Sequence, residues 1–251
     1  MTDVHAIEIS REKNITLAGD NIPVSSARWT FGNDVAEHFD DHVAKSVPLY
    51  CIGHDLIVSL SDYFIKCDSV CYEIGCSTGT LISQLASRHS DYKNARFVGL
   101  DVESEMIAKA QQTHSALSGV TFQNADAVNF EFASADMIVS YYVVQFVSPK
   151  LRQQLFDKIY ASLNWGGAFV MYEKTRASDA RFQDIFTSLY NEYKLSKGYT
   201  PDEVLSKTMS LKGVLEPYST QANVDYLKRA GFNDVITIQK YLGFEGFLAI
   251  K

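Results

Sequence analysis

Three acidic residues stand at intervals behind a short glycine loop. The run YEIGCSTGT, residues 72–80, sets Glu73 two residues ahead of Gly75, with Ser77 and Gly79 following. Between a buried strand and a helix, such a loop lets the backbone approach a ligand and presents the free amides of the next helix. Position 77 is serine, so the dinucleotide fingerprint GxGxxG is absent, and no Gly-Lys-Ser/Thr run offers a phosphate loop. Asp101 closes ARFVGLD, where a carboxylate can accept hydrogen bonds from both hydroxyls of a ribose. Asp126, in NAD, can accept a bond from an adenine amino group while Ala125 offers its backbone. Glu73 can meet an ammonium group. Each acid alone reads equally well as a helix cap or a solvated loop residue. Together they describe a ligand with adenosine and an amino-acid end but no phosphate, which is S-adenosylmethionine (SAM).

Further candidates surround this set. Tyr141 and Tyr142 in VSYYVVQF are placed to face a reacting methyl, as a proton acceptor or as aromatic walls that stabilise a sulfonium by cation–π attraction. EHFDDH puts His38 and His42 one helical turn apart beside Asp41. That spacing suits a divalent metal, or simply the exposed face of a helix, and no metal is expected. Lys174, Arg176 and Arg181 can meet an anionic substrate or serve as surface charges. The cysteines Cys51, Cys67, Cys71 and Cys76 form no CxxC pair, so free thiols are expected.

The elements that must position these residues alternate. Strands are predicted over 69–74, 95–101, 119–126, 135–146 with its trailing loop, and 168–174, separated by helices beginning at Thr80, Ser104 and Pro149. NWGG, at 164–167, reads as a helix stop and turn. The chain ends in a helix at 220–232 and two runs, DVITIQKY and GFEGFLAIK, close enough to force an antiparallel hairpin. The expectation is a Rossmann-like α/β fold with a doubly wound, mostly parallel, seven-stranded sheet. Its parts are an N-terminal tail and helical lid (1–68), a SAM-binding core (69–176), a helical insertion (177–219), and a C-terminal helix and hairpin (220–251).

A chain of 251 residues, 46% hydrophobic and 21% charged, can bury a sizeable core. Its net charge of -7 disfavours a phosphate-tracking nucleic-acid surface but allows a local basic pocket for a small anion. MTDVHAIEISREKN lacks an apolar signal region and no apolar run is long enough to span a bilayer, so a cytoplasmic protein is expected.

EIGCSTG, GLD and NAD resemble the class I SAM-dependent methyltransferases. More narrowly, the chain is similar to the carboxy-SAM synthase family, which prepares the donor for a wobble-uridine modification of tRNA. WTF, VAEHF, SVPLY, GCSTG, QFV, LFDKIYASLNWGGAFVMYEK, KGYT and KRAGF carry this resemblance in collinear order over residues 29–251. It implies a homodimer whose inserted segment reaches toward the partner's site. It also implies that Tyr50 lies near the donor's amino-acid moiety, and that Gly75, Ser77, Asp101, Asp126 and Ala127 contact the cofactor. Two positions depart from the family. The family reaction joins a carboxyl group derived from prephenate to the methyl of SAM and grips that carboxylate with an arginine, whose place falls here on Thr208. A threonine hydroxyl cannot supply the bidentate charged fork. Tyr141 stands where the family usually carries an asparagine against the cofactor. The expectation is therefore methyl transfer from SAM itself to a small-molecule acceptor, with carboxy-SAM synthesis as the alternative. A non-catalytic binding subunit is opposed by the intact loop and acids, and direct action on tRNA by the acidic balance.

Overall fold

The computed structural model describes residues 16–18, 23–24 and 35–251. The WTF block at 29–31 and most of the N-terminal tail lie outside the described residues. Apolar runs at 70–74, 97–100 and 137–141 become central strands because each is covered by helices on both faces. A short antiparallel ladder joins Thr16–Leu17 to Pro23–Val24, and the strands of the main sheet are, in chain order, β1 (Val70–Ile74), β2 (Arg96–Asp101), β3 (Val120–Asn124), β4 (Ala135–Tyr141), β5 (Leu163–Arg176), β6 (Asp234–Tyr241) and β7 (Phe244–Ile250). They lie in the order β3-β2-β1-β4-β5-β7-β6. The first five run parallel, and β7 is antiparallel to both β5 and β6. An eighth strand corrects the expected count of seven: the two residues Tyr218–Ser219 pair in parallel with Thr175 and Arg176 at the end of β5. The strand at NWGG also begins earlier than its glycines suggest. β5 starts at Leu163, and its pairing with β4 shifts register between Ala135 and Met137.

Alternation along β1 divides the core. Val70, Tyr72 and Ile74 pack on one face with Leu155, Phe156, Ile159 and Phe232. Cys71 packs on the other with Leu81, Ile82, Leu85 and Met137. The order reverses between β1 and β4, so the crevice for a ligand opens at their carboxyl ends.

The helices are α1 (Val35–Ser46), α2 (Tyr50–Leu60), α3 (Thr80–Arg88), α4 (Ser104–Thr113), α5 (Pro149–Ser162), α6 (Ala180–Ser196), α7 (Pro201–Ser210) and α8 (Thr220–Ala230). Thr200 and Glu203 form a reciprocal capping box ahead of Pro201, which fixes where α7 starts. Helices α1 and α6 meet over the crevice: the Tyr190 hydroxyl donates to the Ser46 carbonyl at 2.9 Å. Among the described residues no single helix is long and apolar enough to cross a membrane.

The turn after β4 sits directly under this crevice and rests on two buried charged residues. Glu173 Oε1 accepts the Val144 amide at 2.9 Å. Arg152 donates to the carbonyls of Val147 (2.9 Å) and Gln145 (3.0 Å). Burial pushes the Glu173 carboxyl up to about 8, although Arg152 and the surrounding amides pull it down. An acid whose folded pKa is raised binds its proton more tightly folded than unfolded, so its contribution falls as pH rises from the ordinary value of 4.5 towards 8. Glu173→Gln abolishes that loss. Urea denaturation of wild type and variant should give similar stabilities near pH 5 and a variant that is more stable near pH 8.

Candidate active site

The loop after β1 is held from the end of β2. Ser77 adopts φ 48, a conformation uncommon for a residue with a side chain, and its amide donates to Asp101 Oδ2 at 2.9 Å. Asp101 Oδ1 accepts the Glu103 amide at 2.9 Å. The carboxylate assigned to a ribose from the sequence is thus also the brace of the glycine loop. A carboxylate has about four acceptor sites, which leaves capacity for hydroxyls from the cavity. Gly75 has φ 67, and a Cβ there would lie 2.4 Å from Val143 Cγ2, so only glycine lets the loop pass. Gly79, with φ 81, is different: it does not line the cavity. A Cβ at Gly79 would meet the Phe122 ring at 2.5 Å, so it serves the start of α3 and its packing on the sheet.

Glu73 is 3% exposed, and its Oε2 accepts the Ile82 amide in the first turn of α3 at 2.9 Å. Burial drives this carboxyl well above its ordinary range, and the neighbouring Asp101 and Asp40 add to the effect. A cation beside it would favour the charged form. Asp126 closes the turn after β3: Oδ1 accepts the Val128 amide at 3.0 Å and Oδ2 the Asn129 side-chain amide at 2.6 Å.

The cavity above these residues has a volume of about 430 Å³. That falls within the range of roughly 300–1,000 Å³ typical of small-molecule sites. Tyr50, Glu73, Gly75, Ser77, Asp101, Asp126, Ala127, Tyr141 and Tyr142 all line it, so the structure brings together every sequence-assigned site residue except Gly79. Its lining suits SAM in kind: carboxylates at three strand ends, bare backbone at the turn and aromatic rings between. The Tyr141 hydroxyl donates to the Tyr50 carbonyl at 2.6 Å, so its proton is already committed. Ring centroids of Tyr50 and Tyr141 lie 4.9 Å apart, as do those of Tyr141 and Tyr142. Burial pushes both phenols at 141 and 142 far up, which favours aromatic walls over proton acceptors.

Further residues surround the cavity. Asp40 on α1 accepts the hydroxyls of Thr78 (2.8 Å) and Thr80 (3.2 Å), tying the lid to the glycine loop. His38 is exposed, whereas His42 is buried in the cavity wall against Lys207 of α7, so the two histidines do not converge on one point. Lys207 also donates to Ser46 Oγ at 2.8 Å. His54 lines the cavity among the tyrosines, burial pushes its imidazole down to about 4, and its Nε2 has no hydrogen-bond partner among the described residues. Thr208 donates its hydroxyl to the Val204 carbonyl of its own helix at 2.8 Å and faces a neighbouring pocket rather than this cavity. Lys174 lines both cavities, Arg176 only the neighbouring one, and Arg181 neither. Cys76 lines the cavity, and burial pushes its thiol up, away from reactivity. Asp40 stands inside EHFDDH, where only Asp41 and the histidines drew attention, because its bonds to Thr78 and Thr80 exist only once α1 packs on the loop.

Comparison with known proteins agrees with this geometry. The profile of a methyltransferase domain matches residues 72–167. The carboxy-S-adenosyl-L-methionine synthase of Staphylococcus epidermidis is 31% identical over 225 residues, covering 89% of this chain and 97% of that protein. The enzyme of the same name from Campylobacter lari is 34% identical over 225 residues, covering 89% of this chain and 95% of its own. Among solved structures, a putative O-methyltransferase from Nostoc punctiforme superimposes with a TM-score of 0.61 at 16% identity, over 86% of this chain and 60% of that one. Human N-acetylserotonin methyltransferase in complex with SAM gives a TM-score of 0.56 at 17% identity, over 81% and 52%. At these identities the structural likeness establishes the fold. The chain belongs to the carboxy-S-adenosyl-L-methionine synthase family, built on a SAM-dependent methyltransferase domain.

Proposed function

We propose that this protein transfers the methyl group of SAM to a small-molecule acceptor. The observation that carries this reading is Thr208. At the position where the family resemblance puts the arginine for an extra carboxylate, a threonine spends its hydroxyl on the Val204 carbonyl. A charge-assisted bond to a buried carboxylate contributes about 2–3 kcal/mol, so without one the site has no comparable reason to prefer carboxy-SAM over SAM.

In this reading Asp101 receives the ribose hydroxyls, Asp126 and Ala127 border the adenine, and Glu73 receives the ammonium. Gly75 and Ser77 offer bare backbone, and Tyr50, Tyr141 and Tyr142 wall the sulfonium. SAM supplies an already activated methyl electrophile. The work left to the protein is to hold the acceptor in line with the sulfur–methyl bond and to exclude water. Lids α1, α2, α6 and α7 serve the second task, with the Asp40 bonds to Thr78 and Thr80 holding α1 down. Tyr141 and Tyr142 act as walls; an acceptor that loses a proton would need another outlet. We further propose a homodimeric cytoplasmic enzyme without direct nucleic-acid contact, consistent with the family resemblance and the net charge of -7.

Carboxy-SAM synthesis is the second reading. The names of the curated relatives favour it, as do Lys174 and Lys207 in the cavity wall, which offer cations to a carboxylate. Mass spectrometry of the ligand that copurifies separates the two: SAM or its demethylated product is expected, and carboxy-SAM would overturn the methyl-transfer reading. Incubation with SAM and prephenate should yield no donor heavier by a carboxyl group. Asp101→Ala should weaken SAM binding by about 10–100-fold in calorimetry, because it removes charged acceptors worth about 1.5–3 kcal/mol. Unchanged affinity would remove Asp101 from the ribose site.

A further inference from the structure

A second cavity, of about 230 Å³, adjoins the first between the end of β5 and helices α6 and α7. Lys174, Tyr190, Lys207 and Phe244 are common to both walls. Its cations are Lys174, Arg176, Lys194, Lys207 and Lys212, against a single carboxylate, Glu216, among the described lining residues. That surplus sits in a chain whose net charge is -7.

Two of these lysines, Lys194 buried and Lys174 half-buried, meet no hydrogen-bond acceptor among the described residues. Lys194 is only 4% exposed, yet no carboxylate or other hydrogen-bond acceptor among the described residues meets its ammonium. What it has is the face of Tyr190, 4.6 Å from Nζ to the ring centroid. The half-buried Lys174 sets its Nζ over the same ring at 4.6 Å, with Phe244 at 5.6 Å, and likewise meets no acceptor among the described residues. Cation–π attraction offsets part of the desolvation, but it satisfies none of the ammonium donors. Burial pushes both lysines down to about 8, and repulsion from Lys194 contributes at Lys174. A residue kept for stability alone would be paired with an acid or turned to water, because an unpaired buried ammonium costs folding free energy.

We propose that Lys174 and Lys194 form an anion subsite that takes the carboxylate or phosphate group of the acceptor. The reactive end of that acceptor then passes Tyr190 and Phe244 into the donor cavity. The anion supplies the missing acceptors to both ammoniums, and the shared wall puts the acceptor's far end beside the aromatic residues around the donor. Thr208 lines the same pocket and leaves open the space that an arginine would fill. This inference rests on the transferase reading above.

Calorimetry at low salt with benzoate, phenyl phosphate and the neutral benzamide tests it on the full-length protein. Wild type should bind one or both anions, more weakly as salt is raised, and should not bind benzamide; the stronger anion identifies the acceptor's head group. Lys194→Met and Lys174→Met should each weaken anion binding by about tenfold or more. Lys194→Met should keep wild-type SAM affinity and, without anion, melt no lower than wild type, which shows that the variant folds. Benzamide binding as well as the anions, variants binding the anions as tightly as wild type, or no anion binding at all would each overturn the proposal. SAM titrated into the same samples reads the donor cavity independently, so a failure there counts against the transferase reading and a failure of the anions counts against the subsite.

Discussion

The hydrogen bond from the Ser77 amide to Asp101 joins the end of β2 to the turn that follows β1, and the donor cavity takes its shape from that joint. It holds Ser77 at a positive φ, which directs the backbone around the cavity. The same carboxylate takes the Glu103 amide, so one side chain fixes the loop on one side and the entry to α4 on the other. Glu73 does the equivalent work for α3 by accepting the Ile82 amide. Both acids therefore have structural duties besides any they have toward a ligand, and both bear the cost of desolvation. Acids placed where burial opposes their charge are suited to a cationic ligand, which relieves them when it arrives.

The opposite arrangement holds a short distance away. There the buried Lys194 and the half-buried Lys174 meet no acceptor among the described residues, and the wall shared by the two regions carries Tyr190 and Phe244 beside Leu211 and Leu215. A cationic donor and an anionic acceptor would each find complementary charge on its own side of that wall. Helices α1, α6 and α7 bring the two regions together through Ser46, His42, Tyr199 and Lys207, whose contacts link the N-terminal lid to the insertion. A change in how those helices seat would alter both sites at once.

The two positions at which the sequence resemblance expects a departure lie on either side of this division. Thr208 spends its hydroxyl on the Val204 carbonyl within α7, and Tyr141 sets a ring in the cavity wall and bonds the Tyr50 carbonyl. Neither residue disturbs the sheet, whose order is set by β1 being buried on both faces and by the terminal hairpin closing against β5.

Strand and helix succession, the glycine loop, the three acids and the final hairpin were legible in the sequence because each depends on local pattern: alternation, spacing, turn residues and short connections. The eighth strand was not, since two residues at 218–219 carry no periodicity and pair only because the insertion returns beside β5. Gly79 looked like part of the ligand loop, but its packing against Phe122, 43 positions away, could be seen only once β3 lay beside α3. The convergence of Asp40 on Thr78, the separation of His38 from His42, and the approach of both Lys174 and Lys194 to the Tyr190 ring were all decided by tertiary structure. The physical reason is the same in each case. Charge and hydrogen bonding act over a few ångströms of space, and the residues involved are brought within that reach by packing between elements far apart in the chain.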